Sequence, residues 1–152
     1  MRKQTYPALF PADTFIEVNI ASIDEVFVES HDSPRRRLLA SHLRLFVGYL
    51  RNLGLQSFEI WIDGSFSTAD PTPGDVDITC FIPRHQLRKM TDENLEKLEY
   101  LASEEGRPYI RERWHIDYYH CPFDSLEARN YWKDKFTSDD YGNRKGIGRI
   151  KI

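Results

Sequence analysis

Cysteine is scarce in this 152-residue chain: only Cys80 and Cys121, each within an apolar strand pattern. Such thiols read as buried and reduced, and a disulfide framework is excluded. No Cys/His spacing suits zinc. Long hydrophobic runs are missing too, since no stretch reaches the roughly 18 consecutive apolar residues that a membrane span needs. Residues 1–7 lack the apolar core of a signal peptide. The expected location is therefore the cytoplasm, with no membrane partner. Neither sign of charge dominates: 21 Lys+Arg against 24 Asp+Glu give a net charge of −3. That balance argues against a general nucleic-acid binder while leaving room for a local basic patch. Internal repeats and low-complexity tracts are absent.

What is present is ordinary globular material, 40% hydrophobic and 30% charged, of a length that builds one domain with a real core. The expected division is an N-terminal arm and short helix (1–32), a core (33–136) and a C-terminal turn and strand (137–152).

The informative stretch is 57–83. It reads as a strand, a Gly64-Ser65 turn, a loop punctuated by Pro71, Pro73 and Gly74, and a second strand opening Asp75-Val76-Asp77. Strand side chains alternate, so Asp75 and Asp77 share one face while Val76, Ile78, Cys80 and Ile82 take the other. Two carboxylates side by side repel, and one keeps its proton unless a cation joins them. Oxygen ligands alone select a hard ion, Mg²⁺ or Mn²⁺. The adjacent glycine lets backbone approach an anion, and the Ser65 hydroxyl donates beside it. An Asp-X-Asp alone equally suits a turn cap next to a solvated acid; together with Gly-Ser and the flanking apolar strands it suggests nucleotide chemistry.

Gly64-Ser65, nine residues, then Asp75-Val76-Asp77-Ile78 resembles the signature of the nucleotidyltransferase superfamily. A later strand, Trp114-His-Ile-Asp117-Tyr-Tyr-His-Cys121, offers the third carboxylate that this superfamily places there. The likeness covers roughly residues 57 to 121. The run Ile-Asp-Gly-Ser-Phe-Ser-Thr, with Tyr131-Trp132 and Lys145-Gly146-Ile147, is similar to small bacterial and phage nucleotidyltransferase-like proteins. The resemblance implies an α+β, polymerase-beta-like mixed sheet with helices packed on one face. It also implies transfer of a nucleoside monophosphate from a nucleoside triphosphate to a hydroxyl on a protein or RNA, as in toxin-antitoxin or phage-defence systems. Asp75, Asp77 and Asp117 would be the catalytic and metal-holding residues. Gly64, Ser65, Ser67 and Thr68 would bind the triphosphate. The loop Phe66-Ser67-Thr68-Ala69-Asp70 carries no cation, so these hydroxyls, or a cation from the connector Arg84–Lys89 or from the tail, would stand in. The missing walls of the site would come from the terminal segments, a homodimer or a protein partner. Trp61, Tyr109 and Tyr119 are candidate stacking platforms for a base.

Elsewhere, 15–20 has strand character, and Ser22-Ile-Asp-Glu25 fits a capping box. Ser33-Pro34 starts a long helix that Gly54 ends. Its apolar series is Leu38, Leu39, Leu43, Phe46, Val47, Leu50 and Leu53. Arg35, Arg36 and Arg37 in its first turn suit a solvated face or an anion contact. On strand 58–63, Phe58, Ile60 and Ile62 should face the core, and Glu59, Trp61 and Asp63 an open cleft. Thr91 caps a helix that Gly106 stops. His115, Asp117 and Tyr119 should share a strand face, with His115 in a supporting role. Residues 124–127 cap a last helix to about Phe136, 139–143 form a turn, and 145–152 form a strand whose cations attract phosphate or guard a sheet edge. The rival reading is an inactive relative that binds a nucleotide or regulates a partner.

Overall fold

The structure, a computed structural model, describes residues 6–137 and 144–152; the expected turn at 139–143 lies outside them. Its elements are β1 (Phe15–Val18), α1 (Ile23–Phe27), α2 (Pro34–Asn52), β2 (Glu59–Asp63), β3 (Val76–Ile82), α3 (Arg84–Lys89), α4 (Asp92–Leu101), α5 (Gly106–Trp114), β4 (Ile116–Pro122), α6 (Leu126–Phe136) and β5 (Ile147–Lys151). The strands form one mixed sheet in the order β1-β5-β2-β3-β4. β1 runs parallel to β5 and β3 parallel to β4, whereas β2 is antiparallel to both of its neighbours. A parallel pair cannot be joined by a hairpin, and α3, α4 and α5 supply the crossover from β3 to β4. The class is α+β.

Local chemistry explains most boundaries. Ser33 Oγ accepts from the Arg36 amide at 3.0 Å, Pro34 fills the first helical position, and Gly54 leaves the helix at φ 113°. Leu39, Leu43, Phe46, Val47 and Leu50 of α2 are buried with Ile60, Ile62, Ile78, Ile116, Tyr118 and Ile150 on one sheet face. Each such side chain contributes about 1.5–3 kcal/mol by leaving water. Leu38, placed in this series by spacing, stays 41% exposed on the outer side. The N-terminal box belongs to Asn19 and Ser22, whose side chains cap a single 3-10 turn; Ser22 makes no side-chain cap for α1.

Three expectations are overturned. Helices do not lie on one face only: Trp132 and Phe136 of α6 bury Trp61, Phe81 and Ile147 on the opposite face. The cleft expected along that face is thereby filled at Trp61 by an apolar layer. Gly106 does not stop a helix but opens α5, and α4 has already ended at Leu101. Pro108 is tolerated there because the first turn of a helix has no carbonyl to satisfy its missing N–H. Finally, β5 is interior, paired on both sides, so its cations guard no edge. Arg149 pairs with Glu17 on β1, and Lys145 with Asp63.

Two arginines of the first α2 turn, Arg35 and Arg36, are neither a solvated face nor an anion site, whereas Arg37 lies on the solvated face, paired with Asp32. Arg36 is fully buried, and its guanidinium donates to the carbonyls of Phe27 (2.7 Å), Asp70 (2.8 Å) and Phe66. Arg35 donates to those of Pro73 (2.9 Å) and Gly74 (2.6 Å), and Ser33 Oγ to that of Pro71 (2.6 Å). The loop between the Gly-Ser turn and β3 is therefore hung on α2 by side chains reaching its main chain. Burial pushes the Arg36 guanidinium below its ordinary pKa, and the nearby Asp70 partly opposes this. Removing its donors strands buried carbonyls, each costing about 1–3 kcal/mol. Arg36→Met should lower stability by roughly 3 kcal/mol or more, read from urea denaturation. Arg37→Met, which loses only an exposed pair with Asp32, should change it by less than about 1 kcal/mol.

Candidate active site

The strand registers bring carboxylates together. Asp63 on β2 is directly opposite Asp77 on β3, and Asp77 is directly opposite Asp117 on β4. Because paired residues share a sheet face, the acids form a row across three strands. Asp75 stands half-exposed just before β3, close enough for its charge to act on Asp77.

The row is largely, but not wholly, compensated. Lys145 Nζ lies 2.8 Å from Asp63 Oδ1, with both side chains under a tenth exposed. Arg107 Nη2 and Arg111 Nη2 lie 2.7 and 3.2 Å from Asp117 Oδ1. Asp77, in the middle, has no hydrogen-bond or ion-pair partner among the described residues. Burial, then the charges of Asp75, Asp117 and Asp63, push its carboxyl up to about 7, and Lys145 only partly opposes them.

Gly64 shapes the same spot. Its backbone is left-handed at φ 81°, and a Cβ there would overlap the Asp77 carboxylate. The glycine expected to admit a phosphate thus admits Asp77. Of the hydroxyls expected to meet a triphosphate, Ser67 Oγ is buried and donates to the Ile62 carbonyl (3.3 Å), and Thr68 Oγ1 donates to that of Ser65 (2.7 Å). Both are occupied in shaping the turn. Ser65 is half-exposed, with no side-chain hydrogen bond to another described residue.

Other candidates move. His115 is not on the strand: it ends α5 in the left-handed region (φ 57°), its carbonyl accepts from the Val76 amide at 2.8 Å, and its ring stacks on His42 with centroids 5.5 Å apart. Burial, then Arg35 and His42, hold it below the usual histidine pKa. Trp61 is no platform for a base. It is buried against Phe81 and Phe15, and its Nε1–H donates to Glu59. Tyr119 lies under the Arg107 guanidinium, 3.9 Å from the ring centroid, and beside Trp132. Tyr109 remains 52% exposed on α5.

The cations at the site were hidden in the sequence. The connector Arg84–Lys89 sends none: it is α3, whose Gln86 receives the Gln56 amide at 2.7 Å and whose Arg84 pairs with Asp124. Arg107 and Arg111 are four apart on a helix ahead of the Asp117 strand, a signal lost when Gly-Arg-Pro is read as a break. The tail brings Lys145 to Asp63, and nothing local in the sequence links the two.

Mg²⁺ or Mn²⁺ can be tested against this donor set. Among the described residues, no three His, Cys, Asp or Glu side chains are arranged to hold a metal ion. Asp75 and Asp77 nevertheless offer oxygen donors that suit a divalent ion, with the Asp77 carboxyl destabilised by burial and by the neighbouring acids, while Asp117 is held by arginines. No helix among the described residues is long and apolar enough to cross a membrane.

Fold and site together define an α+β protein with an acidic row at the end of a mixed sheet. Over residues 4–151 the chain matches a family described as Family of unknown function (DUF6932), and it belongs to that family. No curated protein and no solved structure matches it.

The raised Asp77 pKa gives a sign to stability. Its folded value, about 7, exceeds the ordinary 3.8, so the folded state binds the extra proton and stability falls as pH rises from about 4 through 7. Asp77→Asn should remove this slope and be the more stable form at pH 8, as read by Tm against pH without divalent ions. Parallel curves for the two proteins would contradict it.

Proposed function

We propose that the protein is a metal-dependent nucleotidyltransferase that moves a nucleoside monophosphate from a nucleoside triphosphate to a hydroxyl on a protein or RNA. The observation that carries this reading is Asp77: a carboxylate flanked by three others, pressed against a left-handed glycine turn, with no cation of its own. A fold tolerates such a destabilised group where a ligand compensates it.

Asp75 and Asp77, with Asp117 completing the set, would hold Mg²⁺ or Mn²⁺, which when bound supplies positive charge against the phosphates and the leaving pyrophosphate. The chain's own residues would do the rest. Ser65 Oγ would orient the terminal phosphates, while Ser67 and Thr68 keep the turn in shape. Lys145 neutralises Asp63, so that acid does not add fully to the repulsion at Asp77. Asp117 would accept the proton of the acceptor hydroxyl as the new O–P bond forms at the α-phosphorus and the bond to the β-phosphate oxygen breaks. The linkage between α2 and the loop would keep Asp75 beside Asp77.

The arginine pairing of Asp117 favours a second reading, an inactive relative that binds a nucleotide or regulates a partner. Labelled nucleoside triphosphates with Mn²⁺ and cell lysate separate the two. Covalent label on a protein or RNA, lost in Asp77→Ala that still unfolds cooperatively, is the expected result. Reversible binding without label supports the second reading, and full labelling by Asp77→Ala would overturn the first. Millimolar Mg²⁺ or Mn²⁺ with ATP should also raise the wild-type Tm, because a ligand bound only by the native state stabilises it.

A further inference from the structure

We propose that Arg107 and Arg111 are the polyphosphate-binding cations of this site, held by Asp117 in the free protein and released to a phosphate chain when Asp117 turns to a divalent ion. This rests on the nucleotidyltransferase reading and adds to it an exchange of partners that couples the two ligands.

The geometry points this way in four respects. Both guanidinium groups converge on one oxygen, Asp117 Oδ1, from positions four apart on α5. A single carboxylate oxygen shared by two arginines leaves much of their donor capacity unused, since each guanidinium carries five N–H groups in a fork that suits phosphate as well as carboxylate. Arg107 Nε is buried with no hydrogen-bond partner among the described residues. The Arg107 guanidinium is also stacked on Tyr119, which fixes it beside the acidic row. Arg111 is half-exposed and feels Asp75 and Asp77 as well as Asp117, so it borders the acids proposed to hold the ion.

The exchange follows from charge balance. In the free protein the arginines neutralise Asp117, the outer member of a row that already overloads Asp77. A polyphosphate that takes the arginines leaves Asp117 bare directly opposite Asp77, and a divalent ion is what then removes the repulsion. An ion arriving alone must compete with two arginines for Asp117, and a phosphate arriving alone must compete with Asp117 for the arginines. Each ligand therefore relieves the obstacle to the other, and by linkage the gain is reciprocal. The loop after Gly64 needs no cation of its own, because α5 brings two.

Isothermal titration calorimetry with Mn²⁺ and inorganic tripolyphosphate, separately and together, tests this. In the wild type each ligand should tighten the other by about tenfold. In the Arg107→Gln/Arg111→Gln double variant, tripolyphosphate binding should be lost or severely weakened and Mn²⁺ alone should bind more tightly than to the wild type. Asp117→Asn provides the reciprocal arm and decides the matter if the double variant does not fold: tripolyphosphate alone should bind it more tightly than it binds the wild type, and the coupling to Mn²⁺ should shrink. Unchanged tripolyphosphate affinity in the double variant, or no gain in Asp117→Asn, would overturn the exchange while leaving a wild type that binds both ligands as a nucleotidyltransferase candidate. A wild type that binds neither Mn²⁺ nor tripolyphosphate would remove both proposals.

Discussion

Alignment of β3 with its two neighbours is the constraint on which the site depends. A strand register places whole faces, so setting Asp77 opposite Asp63 on one side and Asp117 on the other puts three acids abreast in a single step. The same registers seat Ile60, Ile62, Ile78, Ile116 and Tyr118 in the core on the reverse face. Slipping β3 by one residue to relieve the repulsion would turn Val76, Ile78 and Cys80 into the site and the aspartates into oil. Hydrophobic burial thereby holds together charges that would otherwise separate.

The rest of the molecule reads as a response to that row. Lys145 arrives on the segment leading into β5, Arg107 and Arg111 on the crossover helix, and each settles against an outer acid. The central acid is left, facing a turn whose glycine makes room for it. The loop between the turn and β3 has little core of its own and is suspended instead from Ser33, Arg35 and Arg36. Buried arginine is suited to this work: it keeps its charge, and its fork satisfies several carbonyls at once.

The second sheet face shows how tertiary packing redefined the cleft. Trp61 alternates toward the expected open side, yet α6 places Trp132 and Phe136 there, and Glu59 is buried with Arg129 and the Trp61 indole as partners. What alternation alone presents as an open cleft is, around Trp61, an apolar layer. The tail departs from an edge strand for a related reason. Alternating cations in 145–151 suit an edge strand, but the flanking acid at Glu17 and the buried one at Asp63 let that strand occupy the interior. Likewise Gly106 and Pro108 look like punctuation, although glycine and proline both fit a helix's first turn.

Local sequence determined what depends on neighbours along the chain: the Ser33-Pro34 helix start, the Gly54 exit, the strand containing Asp75-Val76-Asp77, the glycine turn before it and the later strand bearing Asp117. Those features follow from short-range hydrogen bonds, backbone freedom and side-chain alternation. Only the tertiary structure decided that Asp117 meets Arg107 and Arg111, that Lys145 neutralises Asp63, that Arg36 holds a loop rather than an anion and that α6 closes most of the second face. Each of these joins elements through strand order and helix placement, which depend on the burial of the whole core and which no local window of residues contains.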